Sequence, residues 1–179
     1  NDNLNYGNTE LLTSTIVKYN RITDADYKNA LVSVNNEGAL NGVITNAINA
    51  IDAEGATKAD LGLEMASNIF ANNPIVDNRQ RVVVFLTDGV PTKYSNFEYS
   101  VANVAIQNAY QIKNTYDATI YSVGVFDRST SADRSVNNFM NYVSSNYNEE
   151  VVMSRYSKET TENKNGYYLD VSDVSTLSD

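Results

Sequence analysis

Arg81-Val82-Val83-Val84-Phe85-Leu86-Thr87-Asp88-Gly89-Val90-Pro91 is the stretch on which the reading of this chain turns. Val82 to Leu86 are apolar without alternation, the mark of a strand covered on both faces in a parallel sheet. A carboxylate follows at once. Gly89 permits a sharp turn and Pro91 stiffens the exit, so Asp88 is held at the carboxyl end of a buried strand. Two uses are open to it there: ligating an ion, or capping the loop that follows.

The pattern alternates on either side of this strand. Upstream, Ser14 to Tyr19 and Ala30 to Val34 read as strands, while residues 1–13 carry no regular pattern. Val43, Ile44, Ala47, Ile48 and Ile51 then keep the spacing of one helix face, with Asn41 as its N-cap and Gly55 at its end. A second helix is predicted from Lys58 to Ala71 on the stripe Ala59, Leu63, Ala66 and Phe70, closed by Asn72, Asn73 and Pro74. Downstream, Val101, Val104, Ala105, Ala109 and Ile112 mark a helix, Thr119 to Val125 a strand, and Val136, Phe139, Met140 and Val143 another helix. A polar stretch over 144–165 reads as a long loop, Gly166 to Asp170 as a last strand, and 173–179 as the start of a final helix. Strands alternating with helices predict an α/β three-layer sandwich with a mostly parallel sheet, in a single domain over 1–179. Ligands of such sheets sit at the carboxyl ends of the strands, which directs attention to the loops after Thr87 and Val125.

Composition removes several classes of function. The 179 residues contain neither Cys nor His. Thiol nucleophiles, Ser-His and Cys-His catalysis, disulfides and the usual zinc sites are therefore excluded. A metal here must be a hard cation held by oxygen. A net charge of −9 argues against nucleic acid as a partner. No apolar run approaches membrane-spanning length, so no membrane insertion is expected. Asn, Ser and Thr number 26, 16 and 14, a polarity without charge that suits a wet, exposed surface.

Enzyme readings fare poorly. A phosphatase strand ending Asp-x-Asp-Gly would put its nucleophile where this chain has Leu86. No phosphate-cradling glycine motif occurs. Asp52 with Glu54, and Asp24 with Asp26, read as solvated loops rather than a glycosidase pair. The acidic segment Asp170 to Asp179 lacks the glycine of a calcium loop.

A second motif lies at Gly55-Ala56-Thr57, a glycine loop feeding a Thr at the start of a helix, where the hydroxyl either caps the helix or ligates a cation. Together with Thr87-Asp88-Gly89, and with Ala118 to Val125, Asn138 to Asn146 and Tyr167 to Asp170 in the same order, it resembles the von Willebrand factor type A domain, the family that includes pilus-tip adhesins. The resemblance covers most of 14–179. It implies a non-enzymatic recognition module of a bacterial cell-surface protein, extracellular, with Thr57 and Asp88 at a Mg²⁺ or Mn²⁺ site. There Thr57 ligates directly and Asp88 through water, and a protein partner offers a carboxylate to the open position. An intracellular type A domain serving as an assembly or chelatase-associated subunit is the alternative. One family element, a strand ending in Asp-x-Ser-x-Ser, is expected to be missing: upstream of Ser14 there is no apolar strand to carry it. The expectation is an N-terminally incomplete domain with weak or no metal binding of its own. The absent strand would be a separate polypeptide, a segment preceding this sequence, or truly lost. Tyr94, Phe97 and Tyr99 are expected either at the site's rim or as packing aromatics.

Overall fold

The structure, a computed structural model, describes residues 5–7, 16–18, 49, 56–75, 79–94, 96–127, 130, 133–161 and 164–171. The chain divides into two compact units, one of residues 1–55 with 68–74, the other of 56–67 with 75–179. In the first unit β1 (Asn5–Gly7) pairs antiparallel with β2 (Ile16–Lys18), Tyr6 opposite Val17. The strand expected over 14–19 is thus seen in its central residues. Asn5–Gly7 lies in the stretch without pattern. Antiparallel pairing joins backbone to backbone, so three residues can pair with no side-chain alternation to announce them. The expected strand over 30–34 and the closing helix over 173–179 lie outside the described residues. So does the helix over 43–51, apart from Asn49, which is helical.

The second unit carries the α/β fold. Its elements are the start of α1 (Ala59–Asn72), then β3 (Arg81–Thr87), α2 (Tyr99–Asn114), β4 (Ala118–Gly124), α3 (Arg134–Val143) and β5 (Tyr168–Asp170). The three strands form a parallel sheet in the order β3-β4-β5, with Thr87 beside Gly124 and Gly124 beside Asp170. All three carboxyl ends therefore lie along one rim. Two further bonds tie that rim together: Val125 N–H donates to Thr87 O (2.9 Å) and Val171 N–H to Gly124 O (2.8 Å).

The helices follow their stripes. In α3 the predicted Val136, Phe139, Met140 and Val143 are all buried, as spacing on one helix face requires. Asp133 caps its start, its carboxylate accepting from Ser135 N (2.7 Å) and Val136 N (3.4 Å). Helices α2 and α3 pack on each other and on β4. They cover the face bearing Val83, Phe85, Ile120 and Ser122; Phe85 meets Phe139 edge-on, and Ser122 Oγ donates to Met140 O (2.9 Å). On the opposite face Val82, Val84, Leu86, Tyr121 and Leu169 are exposed, Leu86 by 66%. The expectation of a strand buried on both faces is not met here: along β3 the side chains before Thr87 alternate between partly buried and exposed, and α2 and α3 lie on the less exposed face.

In its described residues, 144–161 with 164 and 165, the polar connection after α3 is neither helix nor strand, and it is tightly held. Asn138, Asn141 and Asn146 are buried. Asn138 accepts from Thr160 N (2.8 Å) and donates to Lys158 O (2.8 Å). Asn146 donates to Asn141 Oδ1 (2.8 Å) and accepts from Asn165 N (3.0 Å) and Tyr167 N (3.1 Å), so one amide organises the approach to β5. Part of the asparagine content is thus internal scaffolding rather than wet surface. A side-chain amide can donate and accept at once, which is what a buried loop backbone needs.

Candidate functional site

Thr57 and the turn after β3 meet. Thr57 is half-buried just before α1, and both of its backbone groups bond to Thr92: Thr92 N–H donates to Thr57 O (3.0 Å) and Thr57 N–H to Thr92 Oγ1 (3.2 Å). That leaves the Thr57 hydroxyl as the group facing the turn. It does so at close range, since a Cβ built on Gly89 would fall on Thr57 Oγ1. Glycine at 89 is therefore a requirement of close approach.

The turn itself is built by Thr87, which is buried. Its Oγ1 donates to Gly89 O (2.7 Å) and accepts from Gly89 N (3.2 Å), closing a small ring around Asp88. Asp88 is consequently turned outward and exposed, at the carboxyl end of the sheet and one residue from the Thr57 contact. Pro91 and Thr92 are buried, and Glu98 N–H donates to Pro91 O (2.8 Å), which closes the segment leading into α2. The three rim aromatics divide between the two expected roles. Tyr94 is 86% exposed. Phe97 packs edge-on against Tyr99 and Phe139, and Tyr99 OH hydrogen-bonds Ser135 Oγ (2.9 Å).

Thr92 has no counterpart in the sequence reading. Its role is to pair with the backbone of Thr57, 35 residues away, and no local pattern encodes a long-range pairing of that kind. A second feature was legible. Asp127-Arg128-Ser129-Thr130-Ser131 has the Asp-x-Ser-x-Ser spacing, downstream of β4 rather than upstream of α1. Ser129 and Ser131 lie outside the described residues. Asp127 is exposed beyond the end of β4, the strand beside β3, and its Oδ1 accepts from Thr130 N (2.8 Å).

The donor set suits a hard divalent cation in kind: one hydroxyl and one carboxylate on the same rim, with an open side toward solvent. It is sparse in number. Among the described residues no group of three or more Asp or Glu side chains comes together to hold a metal. Asp60 Oδ1, in the first turn of α1, is buried without a hydrogen-bond partner; its backbone carbonyl accepts from Asn108 Nδ2 (3.2 Å). Among the described residues no helix is long and apolar enough to cross a membrane.

No protein-family model matches the chain, and neither the curated proteins nor the solved structures contain a significant match to it.

Proposed function

We propose that this chain is a non-enzymatic recognition module of the von Willebrand factor type A kind, from a bacterial cell-surface adhesin. It engages a protein partner at the Thr57–Asp88 rim through a Mg²⁺ or Mn²⁺ ion. The observation that carries this reading is the strapping of Thr57 onto the Thr87–Thr92 turn, which brings a hydroxyl from before α1 against the turn that presents Asp88. The enzyme readings lack a reacting atom: Leu86 stands at the phosphatase nucleophile position.

In this proposal Thr57 ligates the ion directly and Asp88 does so through water. One direct protein oxygen, with a second acting through water, leaves most of a near-octahedral shell to solvent, so affinity is low until further donors arrive. Those donors are a strand ending in Asp-x-Ser-x-Ser, supplied from beyond this chain, and the carboxylate of the bound partner.

Calorimetric titration tests this. Mg²⁺ added to the chain alone gives little heat. Added with a peptide that supplies the strand and its loop, it binds, and Thr57→Ala or Asp88→Ala abolishes that binding. Tight Mg²⁺ binding by the chain alone would relocate the missing donors to its own residues, with the Asp127 loop first to be mutated. Binding untouched by either substitution, or hydrolysis of a phosphate ester, would remove the proposal.

A further inference from the structure

Away from that rim, at the far end of α2, a lysine is buried. Lys113 lies in the last turn of α2, and its ammonium leaves its own helix to donate three hydrogen bonds: to Tyr142 O (2.7 Å), Ser144 O (2.9 Å) and Tyr147 O (2.6 Å). Tyr142 and Ser144 end α3, so the cation sits where helix carbonyls lack partners. Tyr147 lies in the connection after α3, next to Asn146, whose side chain holds the approach to β5. The three acceptors are all neutral carbonyls.

We propose that Lys113 is a proton-linked latch on the start of the connection after α3, residues 144–149, its closed state strengthened when the lysine gives up its proton and weakened when it takes one up. The reason is an asymmetry of environment. Closed, the ammonium is held among carbonyls with little water; open, it is fully hydrated. Burial disfavours the charged form, so the closed state binds the proton less tightly than the open state does. The direction agrees: burial pulls Lys113 down from 10.5 to about 8, against a smaller opposing pull from Glu149. The neutral amine still donates two of the three bonds. A polar cleft lined in part by Lys113, Asp117, Thr119, Asn148 and Tyr167 lies beside it, giving the proton a route to water.

The charged and titratable groups around the latch are few. Glu149 and Tyr147 face it from the connection, Tyr142 from the end of α3, and Asp117 from the start of β4. Glu149 and Asp117 are carboxylates. Tyr142 is raised by burial first, with Tyr147 and Glu149 adding to it.

Linkage sets the sign and the window. Below pH 8 both states are protonated and opening does not depend on pH. Between about 8 and 10.5 the open state holds more protons, so opening becomes rarer as pH rises. The test is hydrogen exchange at the amides of Ser145, Asn165 and Tyr167, corrected for the intrinsic rise of exchange with pH and measured in low urea to isolate local opening. The opening constant should fall about tenfold between pH 7 and pH 9. Lys113→Arg keeps its charge and Lys113→Met carries none; both should give flat profiles. A flat wild-type profile would overturn the latch. So would a Lys113→Arg protein showing the wild-type slope, even if Lys113→Met does not fold.

Discussion

Gly89 lies directly against the side chain of Thr57, with no room for a Cβ between them. Two segments more than thirty residues apart are thereby locked, and the consequence is mutational. Gly89→Ala forces either the Thr57 hydroxyl or the Thr87 ring to move, at about 1–3 kcal/mol. Thr57→Ala removes the hydroxyl that the new Cβ would meet, so in the Gly89→Ala background it should return part of that loss. Gly62 is the control. It is exposed within α1, and a Cβ there meets nothing within 4 Å. Gly62→Ala should stabilise by about 0.5–1 kcal/mol. Urea unfolding of the variants separates the two glycines by sign.

Asn146 supports a second prediction. Its Oδ1 takes two backbone N–H groups and its Nδ2 serves Asn141. Removing it leaves two part-buried donors and a buried acceptor unpaired, so Asn146→Ala should cost roughly 1–3 kcal/mol. Asn146→Asp keeps both acceptor bonds but sets a carboxylate oxygen against Asn141 Oδ1, and should not rescue. Asn148, two residues on, is exposed, and the bond it receives from Asn114 goes to its backbone carbonyl. Asn148→Ala should therefore stay within about 0.5 kcal/mol. Equal effects at 146 and 148 would contradict the internal role given to Asn146.

Asp133 supports a third. Its carboxylate satisfies two of the free N–H groups at the start of α3. Asp133→Ala should cost about 0.5–2 kcal/mol, and Asp133→Asn should recover most of it, since either side chain caps well. Thermal unfolding of the pair reads this directly.

The parallel sheet and its flanking helices were legible because their signals are local. A run of apolar residues announced β3, and a 3.6-residue spacing announced α2 and α3. The strap between Thr57 and Thr92 was not legible, because a threonine that pairs with a distant backbone looks like any other loop threonine. The asparagines misled for a related reason. Composition records how many polar groups there are, and burial decides which of them, such as Asn138 and Asn146, become part of the interior. Of the candidate site, the turn carrying Asp88 and the loop carrying Thr57 were both marked by their glycines, and what joins them was not.

The last prediction concerns alkaline pH and global stability. Lys113 loses its proton near 8 in the folded chain but near 10.5 when unfolded, so between those values the unfolded chain binds more protons and stability rises with pH. Tyr142 acts in the opposite sense. Burial raises it above 10, so beyond that pH the folded chain keeps a phenolic proton that the unfolded chain has lost, and stability falls. The unfolding midpoint in urea should therefore climb from pH 7.5 toward 10 and turn over above it. Lys113→Arg should remove the climb and leave the fall; Tyr142→Phe should remove the fall and leave the climb. Midpoints that decline steadily from pH 8 in the wild-type protein would mean that the ammonium is better held in the fold than in water, with the three carbonyl bonds outweighing its desolvation.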